Sequence, residues 1–123
     1  MADLSMKDYI VVVQCDIVME RCPGYFCERA FHERTGGFVP YAKDKPIRYL
    51  NLTCGGCCGR ALHRKLAYLL SKIQQWEKIE KDRIIVQFSS CIAKESHHGL
   101  PCPHFDYLKD QVNKIGLDFA EDT

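Results

Sequence analysis

Residues 9 to 14 read YIVVVQ, an unbroken β-branched run with no polar residue until its end. A half-exposed strand alternates apolar and polar positions, and an amphipathic helix spaces them at 3.6. This run does neither, so it is a strand covered on both faces, as in a parallel sheet flanked by helices. Parallel neighbours need long, right-handed crossovers, so strands and helices must alternate along the chain.

The rest of the sequence supplies that alternation. Pro23-Gly24 opens an amphipathic stretch with Phe26, Ala30 and Phe31 on one side, stopping at Gly36-Gly37. Residues 38 to 46 read as a connector punctuated by Pro40 and Pro46. Residues 47 to 53 form a second strand packed through Ile47, Tyr49 and Leu52. A long helix follows, with Leu62, Leu66, Leu69, Leu70, Ile73 and Trp76 at the spacing of one buried face. Residues 83 to 88 give a third strand that runs on through Ser89-Ser90 to Cys91. A last helix carries Phe105, Leu108, Val112 and Ile115, is capped by Gly116, and leads to a fourth strand over 117 to 120. The expected fold is α/β: one three-layer domain over residues 1–123, with a mainly parallel four-stranded sheet and helices on both faces, Rossmann or flavodoxin-like. Phe26, Trp76, Phe88 and Phe105 are assigned to its core.

Composition limits what such a domain does. With 123 residues, 46% of them hydrophobic, the chain can close its own core. A formal charge of +1 leaves no basic footprint for nucleic acid. The IVVV run is too short for a membrane span or a signal-peptide core, so a cytoplasmic location is expected. In that compartment eight cysteines read as metal ligands or redox thiols before they read as disulfides.

Three strand ends carry cysteines: Cys15, Cys54 and Cys91. In a parallel sheet these ends share one edge, where ligands bind. The loops from that edge add Cys22, Cys57, Cys58, Cys102 and His104. Cys54-Gly55-Gly56-Cys57 lets two thiolates from one loop reach a single ion, so the expected ligands are Cys15, Cys22, Cys54, Cys57, Cys91, Cys102 and His104. Zinc is the first expectation, with iron or an iron–sulfur cluster as alternatives. Cys27 reads as a small core residue, Asp16 as a loop acid, His97 and His98 as solvated loop residues, and His32 and His63 as surface groups. The long helix opens with Arg60, His63, Arg64 and Lys65, against the usual preference for acids at a helix start, which implies something negative nearby.

Two rival chemistries use the same stretch. CxxC between a strand and a helix suits thiol–disulfide exchange, with Cys54 attacking and Cys57 or Cys58 resolving. Cys54-x5-Arg60 has the spacing of phosphatase and arsenate-reductase loops, in which backbone amides and the arginine hold an oxyanion. No hydroxyl residue follows Arg60 to support the second.

Cys15 after the first strand, Cys22-Pro23-Gly24, Cys54-Gly55-Gly56-Cys57, Ser90-Cys91-Ile92 and Leu100-Pro101-Cys102-Pro103-His104 occur in that order. Together they resemble the CGGC-domain family of small prokaryotic proteins, over nearly the whole chain. The resemblance implies a metal-binding, zinc-first, cysteine-rich domain. The chain departs from the family at Cys58-Gly59-Arg60, where the family pattern resembles Pro-Gly-Lys, which makes Cys58 an additional thiol.

Overall fold

The computed structural model describes residues 7–20, 22–55, 60–94, 102–121 and 123. Four parallel strands, β1 (Tyr9–Gln14), β2 (Arg48–Thr53), β3 (Ile84–Phe88) and β4 (Asp118–Ala120), lie in the order β2-β1-β3-β4. Helix α1 (Tyr25–Glu33) links β1 to β2, and α2 (Arg60–Lys72) leads from β2 to β3. A short α3 (Ser90–Ala93) and then α4 (Phe105–Ile115) lead from β3 to β4. The chain goes to one side of β1 for β2 and to the other for β3, so the order reverses at β1, as in flavodoxin-like sheets. The expected α/β architecture is the one observed.

Burial explains why β1 is the centre. All six of its residues are buried, with Tyr9 pairing Arg48 and Ile84, and Val13 pairing Leu52 and Phe88. Side chains alternate across the sheet. Val11, Val13, Val86 and Phe88 meet Leu62 and Leu66 of α2 and Leu108 and Val112 of α4. Ile10, Val12 and Ile85 meet Phe38 and Tyr41, with Ala30 and Phe31 of α1 packed against them. The second core corrects one expectation: the connector over 38 to 46 is not merely a link, because Phe38 and Tyr41 are buried in it. Tyr41 also satisfies the buried Gln87, donating its hydroxyl to Oε1 at 3.1 Å.

Two aromatic assignments fail. Trp76 is 74% exposed, because after Lys72 the helix widens into a π-helical turn over Ile73–Glu77. An i→i+5 turn shifts the register, so the i, i+3, i+4 stripe that carries Leu62, Leu66 and Ile73 stops at Ile73. Phe26 is 63% exposed, standing in the first turn of α1 with its ring against Tyr25. Phe88 and Phe105 do join the core. Gly116 ends α4 at φ 88°, a left-handed cap whose N–H donates to the carbonyls of Val112 and Asn113.

At the sheet's opposite edge, ion pairs fix the strand starts. Asp8 takes Arg83 and Lys45 as partners while its backbone bonds both neighbouring strands' approaches, Asp8 N–H to Arg83 O and Arg48 N–H to Asp8 O. The Arg83 guanidinium holds the Asp8 carboxyl below the usual carboxylate range; partial burial opposes it and Lys45 adds to it. A carboxyl with a lowered folded pKa contributes stability above about pH 4 and loses it as pH falls through the folded value. Asp8→Asn is therefore expected to cost up to about 1 kcal/mol at pH 7 and to flatten the decline of the urea midpoint below pH 4. An unchanged acid limb in the variant would contradict this.

Candidate functional site

Parallel register carries two cysteines to one point. Beyond the last pair, Gln14 and Thr53, the ladder runs one step further: the Cys54 N–H bonds Gln14 O at 3.0 Å, and the Ser89 N–H bonds Val13 O at 2.9 Å. Cys15 and Cys54 thus follow side by side. Both continue the faces of Val13 and Leu52, so both turn toward α2 and α4, and Cys54 is only 6% exposed.

Cys102 reaches the same place from the other side. Its N–H bonds Ile92 O at 2.9 Å, tying the segment before α4 to α3. Its sulfur accepts the His104 N–H at 3.4 Å. Cys15, Asp16, Cys54, Cys102 and His104 then line one cleft of about 320 Å³, floored by Ile92 and Leu108. Asp16, expected to be a loop acid only, is part of this wall.

The start of the CGGC loop is held by one hydroxyl. Thr53 Oγ1 donates to Asp16 Oδ1 at 2.8 Å and accepts from the Gly55 N–H at 3.3 Å and Lys65 Nζ at 3.1 Å. One donor and two lone pairs are all engaged. The Gly55 bond accompanies φ +75° at that residue, where a Cβ would come within 2.2 Å of Ala61 Cβ, so glycine is required for the turn into α2. Lys65, whose position at a helix start implied a negative neighbour, meets Thr53 here, one hydrogen bond from Asp16. His63, expected at the surface, keeps Nδ1 buried and unpartnered among the described residues.

The remaining thiols fall elsewhere. Ser89 does not extend β3 to Cys91; Ser90–Ala93 turn into α3, with Cys91 in that helix rather than at the strand end. Cys91 lines a second cleft, of about 370 Å³, together with Gln14, Cys22, Phe26, Cys27 and Ser90. It still touches the first core, and its sulfur lies 2.7 Å from Ser89 Oγ. Burial pushes the Cys91 thiol up, against the pull of Ser89 and the Cys15 backbone amide. The expected seven-ligand wall is thus divided: Cys15, Cys54, Cys102 and His104 share one cleft, and Cys22 and Cys91 the other. Cys57, Cys58, His97, His98 and the Arg60 side chain lie outside the described residues.

The donor set of the first cleft fits a soft divalent metal chemically, with thiols, an imidazole and a carboxylate on apolar walls. Among the described residues, no three His, Cys, Asp or Glu side chains stand close enough together to hold an ion. Binding would have to draw the sulfurs inward. Gln14 and Cys27, neither of them expected at a site, line the second cleft. A glutamine closing an otherwise apolar buried strand was the available signal for the first.

Among the described residues no helix is long and apolar enough to cross a membrane. No curated protein and no solved structure matches the chain. The family model for the CGGC domain matches residues 9–123, from the first residue of β1 to Thr123, and the chain belongs to the CGGC-domain family.

Proposed function

We propose that this chain is a cytoplasmic metal-binding domain that takes zinc, or alternatively iron, in the first cleft. Its ligands are Cys15, Cys54 and Cys102, with His104 at the mouth. The observation that carries this reading is the shared cleft: thiols from the ends of β1 and β2 and from the approach to α4 line one cavity. A dithiol enzyme needs only the CxxC pair and gives Cys15 and Cys102 nothing to do. Thr53, held between Asp16 and Lys65, fixes where Cys54 leaves the sheet. A zinc ion enclosed by four protein ligands supplies local structural stability rather than an open reaction site.

Protein purified anaerobically is expected to carry about one equivalent of zinc per chain by elemental analysis, following the four-ligand stoichiometry of such sites. Chelation should loosen the loops and leave the sheet cooperative in thermal unfolding, since β1 and β3 are buried independently of the site. Metal-free protein with all eight thiols titratable would remove the proposal.

A further inference from the structure

The second cleft lies across the sheet edge from the first and is built from different elements. Cys22 precedes α1, Cys27 stands in its first turn, and Cys91 comes from α3. All three are free thiols of intermediate exposure, so solvent reaches each. One oxygen spans the gap between the α1 and α3 walls: Thr123 Oγ1 accepts the Ser90 N–H at 3.1 Å and lies 3.6 Å from Cys27 Sγ. Cys91 is the next residue after Ser90.

The cleft also has an unmet polar need. Gln14 is 2% exposed and lines it, with Oε1 buried and without a hydrogen-bond partner among the described residues. The carboxamide lies against Gly24, where any Cβ would come within 2.9 Å of its nitrogen. A buried acceptor left open is uncommon in a native fold and suits a ligand that brings an N–H. Phe26, 63% exposed, forms an apolar lip beside it.

We propose that this cleft is a thiol–disulfide exchange site for low-molecular-weight, amide-bearing disulfides, with Cys27 and Cys91 as its redox couple. Cys27 meets the ligand first, because its sulfur is held by nothing closer than the long contact to Thr123 among the described hydrogen bonds, whereas Cys91 is engaged by Ser89 at 2.7 Å. The Cys27 thiolate attacks one sulfur of R–S–S–R, forming Cys27 Sγ–S–R and releasing RS⁻. Cys91 gives its proton to the released thiolate and attacks Cys27 Sγ, expelling the second RS⁻, which takes up the proton Cys27 had lost to solvent. The protein dithiol loses two electrons and the external disulfide gains them, leaving two RSH.

The test uses the full chain, anaerobically purified and with its metal content measured, in glutathione–glutathione disulfide buffers, followed by alkylation and peptide mass spectrometry. The expected result is loss of two titratable thiols and a Cys27–Cys91 linkage. Cys91→Ser should stop at a glutathione adduct on Cys27, and Cys27→Ser should leave Cys91 unmodified with metal content unchanged. An unmodified Cys27 at every buffer ratio, or a linkage that joins any other pair, overturns the proposal. Because the readout is the crosslink and not the metal, failure of the metal reading leaves this result standing, and the reverse also holds.

Discussion

Cys54→Ser is expected to lower metal affinity by at least about 100-fold, beyond the 10–100-fold that loss of a mere supporting hydrogen bond costs at metal sites. The residue is nearly enclosed, packs against Leu62 and its neighbours in the α2–α4 core, and stands beside Cys15 through the β1–β2 register. A hydroxyl there keeps the volume and loses the soft ligand. Cys102→Ser should act the same way. Cys22→Ser and Cys91→Ser should leave affinity within about threefold, a difference of less than 1 kcal/mol, because both line the other cleft. Competition with a chromophoric chelator reads all four variants. Equal losses in all of them would mean that the two clefts merge around a single ion, and would overturn the division proposed for this edge.

That division shows where sequence reasoning stops. The identity of β1 is legible because YIVVVQ admits one environment, and the shared edge follows because parallel strands end together. Which face each cysteine takes depends on register, and register is a pairing between segments about forty residues apart. Cys15 and Cys54 fall on one face only because Gln14 pairs with Thr53. Cys91 leaves the edge for a different reason. The Ser89-Ser90 pair is a helix-start signal that competes with strand extension, and here the helix wins: Ser89 is extended at φ −66°, ψ 158° and Ser90 is already helical. Trp76 leaves the core through a change of helical period that no pattern of apolar residues announces. Phe38 and Tyr41 sit in a segment rich in proline and lysine, which reads as surface, although two aromatics in such a segment are enough to seal one face of a small sheet.

Phe88→Ala is expected to destabilise the protein by about 3–5 kcal/mol, a large part of the roughly 5–15 kcal/mol that holds a domain of this kind together. Phe88 is fully buried opposite Val13, with its ring edge-on to Phe105 at 5.1 Å and to Phe119 at 6.0 Å. Truncation empties a space that three elements share. Those elements cannot all collapse into it, because β3 is pinned between β1 and β4 by the ladder. Thermal unfolding should move down by about 10–20 °C for a domain of this length. Trp76→Ala, removing a larger ring that is three-quarters exposed, should change stability by no more than about 0.5 kcal/mol. The opposite ranking would restore the single apolar stripe that the π-helical turn interrupts. The core change also reaches the site, since Phe105 opens α4 directly after His104 and Cys102. With Phe88 gone, the start of α4 loses its packing partner, and the cleft wall carrying Cys102 should loosen before the sheet does. A larger rise over the parent protein in the alkylation rate of Cys102 than in that of Cys54 in folded Phe88→Ala protein is the signature of that order; equal rises would show that the cleft and the sheet open as one unit.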